Sequence, residues 1–105
     1  MRRRQPSLPD ANETHQESLC RRALRFRRRG EERKALVAFR EAALSSEKDA
    51  RLWTHYGVQC GRMGRYDEAQ HALSQAVWLR ERAGEAEKAR VTRSLLVGMT
   101  PDRAA

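Results

Sequence analysis

Apolar residues recur along this chain at every third or fourth position, in five stretches separated by short polar breaks. This spacing is typical of amphipathic α-helices, which gather such residues on one face. In the clearest stretch, Trp53, Tyr56 and Cys60 lie at positions i, i+3 and i+7. Thr14, followed three residues later by Glu17, resembles the capping box that begins many helices. The pattern therefore predicts an all-α protein.

The polar breaks locate the predicted elements. The predicted helices follow Thr14, Gly30, Asp49, Arg65 and Gly84 in turn, with the second at about Glu31 to Ser45 and the fifth at about Glu85 to Val97. Residues 1–12 contain two prolines and no apolar period, so we expect a flexible basic arm there. Residues 99–105 are expected to form a C-terminal tail, because Thr100 and Pro101 stop the helical pattern.

An interval of 34 residues separates Gly30, Gly64 and Gly98. The residues around the first two glycines repeat with the same interval, since small residues coincide with small ones and large apolar residues with large apolar ones. The coinciding pairs include Ala35 with Ala69, Phe39 with Leu73 and Ala42 with Ala76. A fixed period of this length predicts an array of helical hairpins.

The two units defined by this period carry a common set of residues. The second unit has Trp53, Tyr56, Gly57, Cys60, Ala69, Leu73 and Ala76, and the first has Leu19, Arg22, Ala23, Phe26, Ala35, Phe39 and Ala42. These residues resemble the pattern of the tetratricopeptide repeat (TPR) family. The resemblance implies a right-handed α-solenoid at residues 13–98. Its parts would be a first repeat at about 16–49, a second at about 50–83 and a capping helix at about 84–97.

The chain departs from the family pattern at several places. Glu47 and Glu81 stand where a Pro often follows the second helix of a repeat, and Arg22 replaces a usually apolar residue. In the fifth helix, Glu87 and Arg90 stand where large apolar residues would be. A polar outer face is what the terminal unit of such an array requires, so these two residues fit a capping helix.

The resemblance also implies a concave groove that is lined by the first helix of each pair and holds a peptide. The corresponding residues are Cys20, Leu24, Arg27, Arg28, Arg51, Thr54, Val58, Arg62, Lys88, Thr92 and Leu95. This lining is basic with apolar patches, so it favours an acidic peptide or protein segment as the ligand. Some chaperone adaptors of the family grip a C-terminal carboxylate with Lys and Asn. Cys20 and Leu24 occupy the matching positions here, so that ligand is not expected.

The net charge of +8 is concentrated at the N-terminal end. Residues 1–30 hold nine Arg and three acidic residues, whereas the remainder of the chain is nearly balanced. A basic end suits acidic peptides, nucleic acid or anionic surfaces. A solvated face is the simpler alternative in a chain with nineteen Arg and three Lys. Nucleic-acid or ribosome association through the Arg-rich end is therefore the second hypothesis, although the sequence has no recognised nucleic-acid motif.

Residues that could carry chemistry do not form a motif. The candidate ligands Cys20, Cys60, His15, His55 and His71 show no CxxC or HxxxH spacing. Cys60 lies on a predicted buried stripe and His55 and His71 lie off it, so we do not expect them to converge. No Cys or Ser comes with the His and acid of a nucleophilic catalyst. We therefore expect no metal, no cofactor and no enzymatic activity.

Two apolar residues lie outside the main stripes. Trp78 in the fourth helix points away from the apolar face, and Leu44 occupies the equivalent place one period earlier. They either pack beneath the fifth helix or form a second contact surface. Self-association through apolar faces is the third hypothesis, because an array of two and a half repeats is short for independent stability.

No stretch approaches the roughly 20 apolar residues of a membrane helix. The basic start is not followed by the apolar segment of a secretory signal, so we expect cytoplasmic residence and reduced cysteines. Together these features favour a protein-binding adaptor that takes an acidic segment in a basic groove.

Overall fold

The computed structural model describes residues 14–99 and is all-helical over this range. Its five helices are α1 (His15–Arg28), α2 (Glu32–Ser45), α3 (Ala50–Arg62), α4 (Tyr66–Arg82) and α5 (Ala86–Gly98). The predicted all-α class is confirmed, and the predicted helix boundaries lie within a few residues of the observed ones. The predicted basic arm at 1–12 and the predicted tail after residue 99 lie outside the described residues.

Side chains cap two of the helix starts. The Thr14 hydroxyl accepts a hydrogen bond from the Glu17 backbone N–H at 3.1 Å, and the Glu17 carboxylate accepts one from the Thr14 backbone N–H at 3.1 Å. This is a complete capping box at α1. At α3, the Asp49 carboxylate accepts the Arg51 N–H at 3.0 Å. Both caps satisfy backbone donors that a helix start leaves unpaired, and the capping box at Thr14 confirms the sequence prediction.

Three turns share one geometry. Gly30, Gly64 and Gly84 have φ angles of 79°, 75° and 76°, in the left-handed region that glycine enters without strain. In each turn, the N–H after the glycine donates to the carbonyl five residues earlier in the chain. These bonds join Glu31 to Phe26, Arg65 to Cys60 and Glu85 to Arg80, at 2.9, 2.9 and 2.8 Å. The pairs α1–α2, α3–α4 and α4–α5 are therefore tight helical hairpins.

The core lies between successive helices, with α1 packed on α2, α2 on α3, α3 on α4 and α4 on α5. The closest approach is at Gly57 in α3. A Cβ atom there would stand 2.7 Å from Leu73 Cγ and 3.3 Å from the Ala69 carbonyl oxygen, so α3 and α4 reach this separation only with a glycine. Leu73 is fully buried in the same contact. Gly57 therefore allows α3 and α4 to pack closely at this point.

The fifth helix follows the turn at Gly84 and ends at Gly98, within one residue of the predicted bounds. Gly98 continues the 34-residue interval but lies at the helix end, whereas Gly30 and Gly64 are turn residues with positive φ angles. Glu87 and Arg90, the two polar residues expected on the outer face of a capping helix, are exposed, and so is Val91. Helix α4 has 17 residues against 14 in α2, and α5 follows it through a hairpin turn.

Fewer buried groups hold α5 than hold α3. Ala89 and Thr92 are the buried residues of α5, whereas six residues of α3 are buried. At the end of α5, the Met99 carbonyl accepts a hydrogen bond from Gln70 Nε2 at 3.0 Å, and the Met99 side chain packs against Gly61. The fifth helix therefore covers one side of the core and leaves most of its own surface exposed.

Candidate functional site

A row of polar side chains runs along one face of α3. Its members are Arg51, His55, Gln59 and Arg62. Spacings of four, four and three residues place them on one side of the helix, along about 16 Å. We refer to this row as the α3 polar stripe. Its two ends differ in structure.

A polar network joins α1, α2 and α3 at the Arg62 end of the stripe, and its members are Arg27, Glu32, Gln59 and Arg62. The Gln59 side chain is fully buried. Its Nε2 donates to the Glu32 carboxylate at 2.8 Å and to the Glu32 backbone carbonyl at 3.1 Å. Its Oε1 accepts a hydrogen bond from Arg27 Nε at 2.9 Å. Both ends of this buried amide are therefore paired, as burial requires.

The carboxylate of this network is neutralised by a two-point contact. Arg62 donates to both oxygens of Glu32, from Nε at 3.1 Å and from Nη2 at 2.9 Å. Hydrogen bonds from Arg62 and from Gln59 lower the pKa of Glu32 to about 2. Glu32 also lies in the first turn of α2, where the helix dipole favours a negative charge. The charge of Arg62 is thus paired with a carboxylate of the protein itself.

An aromatic stack extends the network toward the middle of the stripe. The buried Phe39 ring stacks on His55, with 5.3 Å between ring centroids and 9° between planes. The Arg27 guanidinium lies 4.8 Å from the Phe39 centroid. Burial lowers the pKa of His55, and the positive charges of Arg27 and Arg51 lower it further. The fold therefore favours the neutral form of His55.

At the Arg51 end the surface opens into a cavity of about 510 Å³ between the α2–α3 link, α3, α4 and α5. We call this cavity the basic cleft. Its charged lining residues are Lys48, Asp49, Arg51, Arg80, Glu85 and Lys88. Four cations face two carboxylates, so the cleft has an excess of positive charge. A concave surface of one sign concentrates ligands of the opposite sign.

The cations of the basic cleft have long contacts with their neighbours. Arg51 Nη2 lies 3.9 Å from the Asp49 carboxylate, and half of its side chain is exposed. Lys88 Nζ lies 3.3 Å from Glu85, and Arg80 Nη2 lies 3.4 Å from the Thr54 hydroxyl. Each of these cations makes one contact that is longer than the bonds of Arg62, and each keeps further N–H donors for an incoming carboxylate.

The predicted groove residues divide between the two ends of the stripe. Arg51 and Lys88 line the basic cleft, where Thr54 accepts the hydrogen bond from Arg80. Arg27 and Arg62 belong to the polar network instead. The structure thus brings together two of the five predicted cations around a cavity and assigns two others to internal contacts.

The remaining predicted groove residues lie in neither place. Cys20 and Thr92 are each 3% exposed, so their side chains present no surface to a partner. The Thr92 hydroxyl donates to the Lys88 carbonyl at 2.7 Å within its own helix. The other predicted residues outside both ends are Leu24, Val58 and Leu95, which are half-buried, and Arg28, which is exposed.

Sequence reasoning missed Glu32, Gln59 and Arg80, and it gave His55 no partner. Their contacts join helices that are distant in the chain, so the 34-residue comparison has no means of pairing them. The available signal is the position of Gln59, next to Cys60 and three residues after Tyr56, at the border of the predicted apolar stripe. A polar residue there is a candidate for a buried hydrogen bond.

The two apolar residues expected outside the stripes are exposed. Leu44 is 52% exposed and Trp78 is 51% exposed. The Arg82 guanidinium lies 4.7 Å from the Trp78 ring centroid, so a cation covers part of that ring. Trp78 is therefore not enclosed beneath α5.

The two cysteines are buried and are not paired with each other. Burial raises the pKa of the Cys60 thiol to about 11 and also raises that of Cys20, which disfavours the reactive thiolate. Within residues 14–99, no three His, Cys, Asp or Glu side chains lie close enough to hold a metal ion. Over the same range, no helix has the length and apolar character needed to cross a membrane.

Compared with protein-family models, with curated protein sequences and with solved structures, the chain has no match.

Proposed function

We propose that this protein is a TPR-like adaptor that binds an acidic segment of another protein in the basic cleft. The array part of the proposal is supported by the two hairpins α1–α2 and α3–α4, whose turn glycines lie 34 residues apart with similar φ angles. It is further supported by fully buried small residues at matching places, Ala35 with Ala69 and Ala42 with Ala76. Arrays of such hairpins commonly present an extended binding surface.

The observation that carries the functional proposal is the composition of the basic cleft. Arg51 and Lys88 are half or more exposed, and they face one cavity together with Arg80 from a third helix. A carboxylate entering the cavity can accept charge-assisted hydrogen bonds from several directions, and such bonds are stronger than neutral ones. A ligand with Asp or Glu side chains therefore gains more binding free energy in the basic cleft than a neutral ligand does.

The apolar residues that line the basic cleft indicate which side chains accompany the negative charges of the ligand. Leu79, Ala50 and Ala83 contribute to the same lining. An acidic segment that also carries a small apolar side chain can bury that side chain against Leu79 while its carboxylates contact the cations. The ligand class is thus an acidic peptide segment with an apolar residue between its charges.

The proposal is tested with a short fluorescein-labelled peptide rich in Glu and Asp that includes two Leu residues. We expect fluorescence anisotropy to show saturable binding to the full chain, and the matching peptide with Gln and Asn to bind much more weakly. Arg51→Glu combined with Lys88→Glu is expected to weaken binding of the acidic peptide by about tenfold or more, because two favourable contacts become repulsive.

A matched variant distinguishes the effect of the cleft residues on affinity from the effect of the total charge of the protein. Arg33→Glu with Arg90→Glu changes the total charge by the same amount at exposed positions outside the cleft. We expect this variant to keep most of the affinity. Equal losses in both double variants, or equal affinity for the acidic and neutral peptides, would exclude the basic cleft as the binding site.

A further inference from the structure

A second basic surface covers α1 on the side that faces away from the core. It consists of Arg21, Arg22, Arg25, Arg28 and Arg29. At about 100° per residue, these five side chains fall within an arc of about 120°, opposite the buried residues Cys20 and Ala23. We call this surface the α1 arginine face. Arg27 is not part of it, because Arg27 points toward Gln59.

Four of the five members of the α1 arginine face have no ion pair with any residue in the range 14–99, and they are Arg22, Arg25, Arg28 and Arg29. On other helices, by comparison, Lys34 pairs with Glu31 and Arg90 with Glu87. The single acid in α1 is Glu17 in its first turn, and that carboxylate is engaged with Thr14. Such uncompensated charge favours a polyanionic partner.

The dimensions of this face fit a phosphate backbone. From Arg21 to Arg29 the helix rises about 12 Å. Phosphates of one DNA strand are spaced about 3.4 Å apart along the axis, so the face can reach three or four of them. Arginine also matches phosphate geometry, because its planar guanidinium can donate two parallel hydrogen bonds.

The face favours a duplex over a single strand. Binding of single strands depends on exposed aromatic rings on which bases stack. The aromatic residue of α1 is Phe26, which is half-buried and packs against the core. Contacts to a duplex backbone need only cations, and they are independent of base sequence.

We propose that the α1 arginine face binds the phosphate backbone of a nucleic-acid duplex. This surface is separate from the basic cleft, so the proposal does not depend on the acidic-segment function. The phosphate chemistry is common to DNA and RNA duplexes, and the face reads no base edges.

The test measures binding of the full chain to a labelled DNA duplex, an RNA duplex and a single strand by fluorescence anisotropy, from about 50 to about 200 mM salt. We expect both duplexes to bind with a steep salt dependence and the single strand to bind more weakly. In the triple variant Arg22→Gln, Arg25→Gln and Arg29→Gln, the slope of log affinity against log salt should decrease by roughly 2 to 3, because each lost phosphate contact removes about 0.9.

The matched variant carries Arg40→Gln, Arg82→Gln and Arg90→Gln, which remove the same charge from exposed positions on α2, α4 and α5. It should keep the slope within about one of the unchanged chain. Helical circular dichroism confirms that both variants are folded. Equal slopes in the two triple variants, or no duplex binding at the lowest salt, would overturn the proposal.

A crossed measurement distinguishes the two proposed sites. The variant with Arg51→Glu and Lys88→Glu should lose affinity for the acidic peptide. Its slope of log affinity against log salt for the duplex should stay nearly unchanged. The variant with Arg22→Gln, Arg25→Gln and Arg29→Gln should show the decreased slope for the duplex and keep its affinity for the acidic peptide. If both variants lose both ligands together, the α1 arginine face is not a separate site.

Discussion

The two ends of the α3 polar stripe are both rich in cations, yet their cations have different partners. At the Arg62 end, which we call the closed end, Arg62 donates two hydrogen bonds to Glu32, and Arg27 donates one to the buried Gln59. At the Arg51 end, the cations surround an open cavity of about 510 Å³ and have longer contacts with their neighbours. Similar residue types thus serve the fold at one end and remain available to a ligand at the other.

This difference shows that a basic groove cannot be read as one uniform binding surface. A cation whose N–H groups are already paired gains little from a new carboxylate, because it must give up an existing contact first. Arg62 makes two hydrogen bonds to one carboxylate, whereas Lys88 makes a single longer contact with Glu85. The stability of the protein should therefore depend mainly on the closed end, and ligand affinity on the open end.

The largest expected difference between the ends concerns their neutral polar residues. Gln59→Leu removes all three hydrogen bonds of a fully buried amide, and each unpaired buried group costs about 1–3 kcal/mol. We expect the free energy of unfolding to decrease by about 2–4 kcal/mol. Thr54→Val at the open end should cost less than about 1 kcal/mol. Urea unfolding of both variants measures this, and equal costs would contradict the assignment of the closed end as structural.

The next largest effect on stability is expected at the contact between Gly57 in α3 and Leu73 in α4. Gly57→Ala places a Cβ 2.7 Å from Leu73 Cγ, so we expect a loss of about 1–3 kcal/mol from overpacking. The substitution should also lower the affinity for the acidic peptide, because Arg80 on α4 lines the basic cleft. Gly98→Ala is the control, because nothing lies within 4 Å of that position and Ala favours helix. An unchanged melting temperature for Gly57→Ala would show that α3 and α4 are not closely packed at this position.

A smaller effect is the pH dependence from His55. Its pKa is lowered in the folded state, so the unfolded chain binds the proton first as the pH falls below about 6.5. The folded state should therefore lose stability below that pH. His55→Phe keeps a ring on Phe39 and should remove this loss, whereas His71→Gln, at an exposed position, should not. Urea unfolding from about pH 7.5 to pH 5 measures the effect. An unchanged profile in His55→Phe would contradict it.

The smallest expected effect is at Glu32. Its pKa is about 2 in the folded state against 4.5 ordinarily, so its stabilising contribution is complete above about pH 4.5 and is lost as the pH falls through about 2. The melting temperature of Glu32→Gln should be lower than that of the unchanged chain at pH 6, and the two should converge toward pH 2. Glu47→Gln, at an exposed position, should show no such convergence. A constant difference for Glu32→Gln would mean that its charge is not what stabilises the network.

The sequence predicts the parts of this fold that local chemistry specifies. The cap at Thr14, the cap at Asp49 and the glycine turns at Gly30 and Gly64 each depend on a few adjacent residues. The close approach at Gly57 follows from the repeat of small residues. These features are local or periodic, so the pattern of residue types is sufficient to predict them.

The division of the candidate site is not predictable in the same way. Arg62 and Arg51 are equivalent as sequence positions in a basic groove. Only the three-dimensional placement of Glu32 and Gln59 beside one of them separates their roles.

The most direct test of the account is an NMR titration of the isotope-labelled chain with the acidic Leu-containing peptide. We predict the largest shifts in the backbone and side-chain signals of Arg51, Arg80 and Lys88, with little change at Gln59 and Arg62. Shifts centred on Gln59 and Arg62, or confined to α1, would contradict the claim that the open end of the stripe is the ligand site.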